Sequence, residues 1–319
     1  MLSRRSLIAG TSAALAAGTY TDWLTAKEAE ALPIVDTHQH LWDLEKLNLP
    51  WLEKGGKLGR NFVTKDYVAA AEGLNIVRAV YMEVDVAEDL KELEAEYVLA
   101  LCKQPDQPTV AAVIGCRPSS PDFAKYAKRY RDNPLINGFR QVMSADKFDA
   151  ACIKSLQHCG ELDKSFDLCV PGADIGAMVK VVDECPDTRF ILDHCGNPDV
   201  LAFLPASRRG DHKPGHDVDD WKRSIQQLAK RERVICKISG IVGSVPKDWL
   251  ADDLAPIINH CLDSFGPNRV VFGSDWPVCL TGASLQQWVA ALKEVIHSRP
   301  IAQQRQLLAE NAIRFYRLE

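Results

Sequence analysis

The chain has 319 residues, with 38 Lys and Arg against 43 Asp and Glu, a formal net charge of −5. Hydrophobic residues make up 46% and charged residues 25%, the balance of an ordinary globular protein, which excludes a disordered, collagen-like or coiled-coil chain. Mild acidity leaves no basic footprint for nucleic acid, and no apolar run approaches the roughly 20 residues of a membrane span.

The first segment reads as an address. Arg4 and Arg5 precede a weakly apolar stretch running to about Ala17, and Ala29-Glu30-Ala31 offers small residues for cleavage. The expectation is a twin-arginine export signal over residues 1–31, a periplasmic destination, no membrane anchor, and a single domain over residues 32–319. A helix that stays attached is the alternative. Cargo of this kind crosses the membrane folded, with any metal or cofactor loaded beforehand.

Short β-branched runs then alternate with longer amphipathic stretches. Strand candidates span residues 34–40, 76–84, 110–116, 136–142, 166–170, 190–195, 234–239 and 270–275. Helix-like segments such as 87–103 and 172–185 lie between them. This alternation predicts a single (β/α)8 (TIM) barrel. The competitor is a doubly wound open sheet, but no GxGxxG follows the first strand. Residues 197–220 form a long irregular stretch after strand six, and loops of that length are commonly lids or binding loops. The ten cysteines include no paired CxxC and fall mostly in or beside apolar runs, so reduced, buried thiols are expected.

Ionisable residues collect at the strand ends. His38 and His40 flank Gln39, and alternation along a strand puts them on one face. Two imidazoles there suit a metal ion or a substrate oxygen, with a pair of satisfied core histidines as the structural alternative. Strand two offers Tyr81, Glu83 and Asp85 on one face, and strand four ends Gly138-Phe139-Arg140. Strand six places Phe190, Leu192 and His194 together, strand seven Ile235, Lys237 and Ser239, and strand eight runs into Asp275-Trp276. In a parallel barrel these ends share one rim, where active sites lie. Three histidines and an aspartate converging there predict a mononuclear metal site with an additional base.

These residues also carry a resemblance. Asp36-Thr37-His38-Gln39-His40-Leu41-Trp42-Asp43, Gly138-Phe139-Arg140, Leu192-Asp193-His194-Cys195-Gly196-Asn197-Pro198, Cys236-Lys237-Ile238-Ser239-Gly240, Phe272-Gly273-Ser274-Asp275-Trp276-Pro277 and Asn311-Ala312-Ile313-Arg314-Phe315-Tyr316 occur in this order. The set resembles the sugar-lactonase-like group of the amidohydrolase superfamily over nearly all of the chain after the first segment. The resemblance implies an amidohydrolase-like (β/α)8 barrel and hydrolysis of a lactone. Known substrates of the group are L-fucono-, L-rhamnono-, muconolactone-type and pyrone dicarboxylate lactones, and one activity isomerises an aldarolactone. It implies His38, His40, His194 and Asp275 as catalytic residues and metal ligands, and one divalent ion, usually Zn²⁺, which some members dispense with. It also puts Arg140 near substrate oxygens. Strand five departs from many superfamily members: Cys169 is its sole plausible ligand, so a binuclear site is not expected.

Lactone hydrolysis needs a polarised carbonyl, a deprotonated water and a proton for the departing alkoxide. Asp275 is the expected base and later acid, and His194 the expected partner of the carbonyl oxygen or of the metal. Arg140 and Lys237 are expected to bind a substrate carboxylate or hydroxyl. Trp42 and Trp276 are expected to offer flat ring faces, with core tryptophans as the alternative, and Glu83 either holds a hydroxyl or pairs with a lysine. His212 and His216 are read as surface residues of the long loop. A metal-dependent decarboxylase of the same superfamily is the second enzyme reading, a lactone isomerase another, and an exported binding protein the non-enzymatic one. The partner expected is a small lactone or hydroxy acid; a homo-oligomer is left open.

Overall fold

The structure, a computed structural model, describes residues 32–53 and 55–318. The export segment expected over residues 1–31 lies outside the described residues. Eight parallel strands neighbour one another in chain order: β1 Ile34–Gln39, β2 Ile76–Met82, β3 Thr109–Gly115, β4 Ile136–Val142, β5 Ser165–Cys169, β6 Arg189–Leu192, β7 Val234–Ile238 and β8 Val270–Phe272. The seam between β1 and β8 is drawn together by backbone bonds from Asp275 N–H to His38 O and from His40 N–H to Trp276 O, both 2.8 Å. The Thr37 hydroxyl adds a bond to Phe272 O at 2.6 Å. The result is the expected (β/α)8 barrel, with helices between the strands.

Alternation decides which side chains fill the barrel. Val35, Val80, Val113, Ile191, Ile235 and Val271 form one buried cluster with Ala309, Ala312, Tyr316 and Leu318 of the C-terminal segment. That segment therefore stoppers the end of the barrel where the strands begin. Polar residues follow the apolar ones along the same inward faces, so the chemistry is pushed to the opposite end. The outer faces of the strands are apolar as well and pack under the helices, as parallel strands buried on both sides require.

Two strands end sooner than their sequence suggests. The run at 190–195 is strand only as far as Leu192, and the run at 270–275 only as far as Phe272. Both are cut short by left-handed backbone: His194 has φ 52°, Cys195 φ 55° and Asp275 φ 56°. The expected shared face of Leu192 and His194 therefore does not exist. Asp193 continues the inward row of Ile191, and His194 arrives by way of the turn.

The long segment after β6 contains a short 3-10 helix, Val200–Phe203, and one helical turn, Ala206–Arg209. His212 Nε2 lies 2.6 Å from Asp199 Oδ2, and His216 Nε2 accepts from Asp199 N–H at 2.7 Å, so both histidines brace this loop. The helix Val218–Ala229 follows. It buries Trp221, Ile225, Leu228 and Ala229, the i, i+4, i+7, i+8 pattern of an amphipathic helix, and Asp217 caps it by accepting from Asp219 and Asp220 N–H. Asp217→Ala is expected to lower unfolding free energy by about 1 kcal/mol in a denaturant titration; an unchanged midpoint would show that other contacts hold the helix start. All ten cysteines are free, and nine are buried. No helix among the described residues is long and apolar enough to cross a membrane.

Candidate active site

The end of β1 and the residue after it carry two candidate ligands, His38 and His40. Asp36 holds this end against β8: its carboxylate accepts from Ser274 N–H at 2.7 Å, from the Ser274 hydroxyl and from the Tyr67 hydroxyl at 2.7 Å. That clamp fixes residue 275 beside His38 and His40. Asp275 Oδ1 lies 3.2 Å from His40 Nε2 and 3.6 Å from His38 Nε2. His40 Nδ1 lies 3.0 Å from Met82 O. A carbonyl only accepts, so Nδ1 carries a proton and turns Nε2 toward the carboxylate oxygen. A cation between Nε2 and that oxygen would be held by both.

His38 is wholly buried, and its Nε2 has no hydrogen-bond partner. Burial first, then the neighbouring Lys237 charge, hold its pKa well below the ordinary histidine value, so the ring is neutral, as a metal ligand must be. A cation on Nε2 requires the proton on Nδ1, whose neighbours are the Asp193 Oδ1 acceptor at 3.6 Å and the Lys237 ammonium at 3.2 Å, a donor that would have to turn toward its two carboxylates. The donor atoms of His38, His40 and Asp275 lie within 4.8 Å of one another. A second triad, His38, Asp193 and His194, meets the same limit. The four residues expected to act together are thus brought together, arranged as two triads that share His38. The first triad, two imidazoles and a carboxylate with a neutral ring and an unpartnered nitrogen, suits a divalent ion.

His194 stands on the other side of His38, ring centroids 4.4 Å apart. Its Nδ1 meets the Ser239 hydroxyl at 2.9 Å. Gly240 makes room for it: at φ +70° a Cβ there would lie 2.3 Å from His194 Nδ1. Burial opposes charge on this ring, but Asp275, a hydrogen bond with Cys169 and Asp193 outweigh it and push its pKa up to about 9. The same carboxylate-rich field is one that a divalent cation would satisfy.

Behind the histidines lies a buried ion cluster. Lys237 is fully buried and contacts Asp167 Oδ2 and Asp193 Oδ1 at 2.9 Å each and His38 Nδ1 at 3.2 Å. Arg140 pairs with Glu83 Oε1 at 3.0 Å, Asp193 Oδ2 at 2.9 Å and Cys169 Sγ at 3.2 Å. Burial raises the Asp167 carboxyl to about 7 against the pull of Lys237. Asp193 goes the other way: despite burial, Lys237 and His38 hold it well below the usual carboxylate range. Burial also opposes a Cys169 thiolate, yet Arg140 and His194 outweigh it and bring the thiol below its ordinary value.

Exposure sorts these groups by task. His38, Asp167, Asp193 and Lys237 expose nothing, whereas His40, Arg140, Cys169, His194 and Asp275 each keep 4–8% of their surface open. The second set is what a substrate can meet.

Several expected residues stand elsewhere or act differently. Lys237, expected to bind substrate, is enclosed by two carboxylates and an imidazole. Glu83 pairs with Arg140 rather than with a lysine, and its second oxygen accepts from Asp85 N–H at 2.8 Å. Trp42 and Trp276 offer no open ring face. Both are buried, Trp42 edge-on to Trp51 and Phe62, and Trp276 against Phe62 and Tyr67, where they wall the β1–β8 side of the site. Cys169 faces the site, where its neighbours are Arg140 and His194.

Asp167 and Asp193 were missed by sequence reasoning. Each carried a signal: Asp167 is a charge set between Phe166 and Leu168 inside a short strand, opposite in sign to Lys237 two strands away. Asp193 is the first polar residue on the inward row of Ile191.

A family model described as Amidohydrolase matches residues 35–318. The chain is 27% identical over 298 residues to an L-fucono-1,5-lactonase of Burkholderia multivorans, covering 86% of this chain and 92% of that protein. It is 24% identical over 337 residues to an L-rhamnono-gamma-lactonase of Scheffersomyces stipitis, covering 89% and 98%. A crystal structure of an amidohydrolase from Burkholderia multivorans with bound Zn superposes with a TM-score of 0.76 at 25% identity, covering 90% of this chain and all of that one.

Proposed function

Because the chain belongs to the amidohydrolase family, we propose that it is an esterase of small rings: a lactonase that opens a sugar-acid or muconolactone-type lactone by attack of a base-activated water. The observation that carries this reading is Asp275. Its carboxylate is the one placed against both β1 histidines while keeping an edge open to solvent. Relatives named as lactonases, matched over almost their whole length, supply the ester class.

A divalent cation held by His38, His40 and Asp275, which we propose to be Zn²⁺, would supply Lewis-acid polarisation of the ester carbonyl and ease deprotonation of water. The chain's own residues do the rest. Asp275 takes the proton of the attacking water at a carboxylate oxygen and returns it to the ring oxygen as the C–O bond breaks. His194, on the open side of His38, donates a ring N–H to the oxygen on which negative charge develops. Arg140 turns its guanidinium toward the same opening, held by Glu83, Asp193 and Cys169, and receives substrate hydroxyl or carboxylate oxygens.

A pH-indicator screen of the full chain against aldonolactones and muconolactones, run with and without chelator, tests the proposal. Acid release from at least one lactone is expected. Chelation should cut turnover and added Zn²⁺ restore it, with metal analysis reading the ion directly. Turnover indifferent to chelation in metal-free protein would remove the ion from the scheme. CO₂ release from aromatic or muconate-type acids with no lactone opened would replace the reading with a decarboxylase.

A further inference from the structure

The opposite end of the barrel carries a feature that the hydrolase reading does not use. A cavity of about 250 Å³ lies where β6, β7 and β8 begin, under the C-terminal helix. Arg189, Arg233, Arg269 and Arg314 line it, with Glu232 as the one carboxylate among its walls. These four cations gather on a chain whose net charge is −5.

Their hydrogen bonds fix the side chains without cancelling the charge. Arg269 donates to the carbonyls of Arg231, Val234 and Ala229. Arg314 donates to Asn268 O and Asn311 Oδ1. Arg189 donates to Phe315 O and Asp163 O, while its Nε is buried and has no hydrogen-bond partner. Arg233 makes one long bond, 3.4 Å, to Asp187 O. The Asp163 carboxylate is 3.7 Å from Arg189 and already engaged by both terminal nitrogens of Arg317. Among the described residues, Arg233, Arg269 and Arg314 have no ion pair. Neutral carbonyls position guanidinium groups and leave their charge in place, with Glu232 as the one carboxylate acting on Arg269. Burial, then Arg317 and Arg233 among its neighbours, hold Arg189 below the usual guanidinium range.

We infer that this basal cavity binds a small oxyanion of the phosphate type, either inorganic phosphate or the phosphate group of a small phosphomonoester. Guanidinium forks match tetrahedral and planar oxyanions with paired, charge-assisted hydrogen bonds. The cavity joins the starts of three strands to the helix that stoppers the barrel. A bound anion therefore ties the C-terminal segment to the sheet, and its effect is on stability rather than on the reaction at the far rim.

Thermal unfolding of the full chain tests this. Inorganic phosphate and glycerol phosphate are titrated separately, each against NaCl at matched ionic strength. Well above its Kd, the true ligand should raise Tm by about 2–4 °C, saturably. The double variant Arg233→Gln/Arg314→Gln should lose that ligand-induced shift, whatever its own starting Tm, and keep its turnover. Tighter binding of glycerol phosphate than of phosphate identifies an organic ligand; the reverse identifies the free ion. The inference is overturned by no shift, by an equal shift with NaCl, or by an equal shift in the double variant.

Discussion

Asp275→Asn is expected to lower kcat by about 10²–10⁴-fold or more while leaving the fold in place. The size follows from two losses at one position. An amide cannot accept the proton of the attacking water, and it is a poor partner for a cation between His38 and His40. Its structural cost is small. The backbone bond from residue 275 to His38 O survives, the side chains are the same shape, and asparagine tolerates φ near 56° better than most residues. Steady-state kinetics, with circular dichroism and Tm on the same sample, separate the two effects. Near-normal turnover would remove Asp275 as the base. A collapsed Tm would mean that the clamp formed by Asp36 and Ser274 depends on it.

The barrel was legible because its signal repeats. All eight predicted strands exist, since a parallel barrel buries both faces of every strand and writes each as a short apolar run. Their C-terminal ends were less legible wherever the chain leaves the strand through left-handed backbone at a residue other than glycine. His194, Cys195 and Asp275 do this; histidine and aspartate enter that region more readily than most residues, but far too seldom for their identity to announce it. Such positions cluster at functional sites, where the surrounding contacts hold a conformation that the residue alone would avoid. Here Ser239 and Gly240 hold His194, and the seam bonds hold residue 275.

Residue type and rim position were enough to expect His38, His40, His194, Asp275 and Arg140 at one end of the barrel, where the structure places them. Which charge meets which was not readable. Lys237 and Arg140 looked like equivalent cations, yet one is sealed inside and the other reaches the opening. That difference is set by Asp167 and Asp193, residues whose meaning depends on a pairing across the barrel. Trp42 and Trp276 follow motif residues in sequence, but both lie past the strand ends and pack into the aromatic wall with Phe62. Adjacency in sequence is not adjacency in the site.

Lys237→Met should be among the most destabilising single changes in the protein, by about 3–5 kcal/mol, with a Tm lower by roughly 6–15 °C. The length of the side chain is kept, so the loss is electrostatic. Asp167 and Asp193 would remain buried with their nearest cation gone; Arg140 still reaches Asp193, but nothing pairs with Asp167. Asp167, already raised to about 7 beside Lys237, would take up a proton when that charge goes, and Asp193 would keep Arg140 alone; the cost of neutralising or holding these buried carboxylates makes the effect one-sided. The double variant Lys237→Met/Asp167→Leu removes the orphaned carboxylate as well and should recover part of the loss. It should not recover turnover, because His38 loses the cation beside Nδ1 that helps keep its ring neutral. Denaturant titrations of the single and double variants, read beside their kcat, distinguish the roles. A loss below about 1 kcal/mol in the single variant would mean the ion cluster is dispensable to folding, as surface pairs are. Recovery of both stability and kcat in the double variant would mean that Lys237 serves only to neutralise Asp167. The expected result, stability partly regained and catalysis not, makes Lys237 a residue that positions His38 and sets its charge from behind the reacting groups.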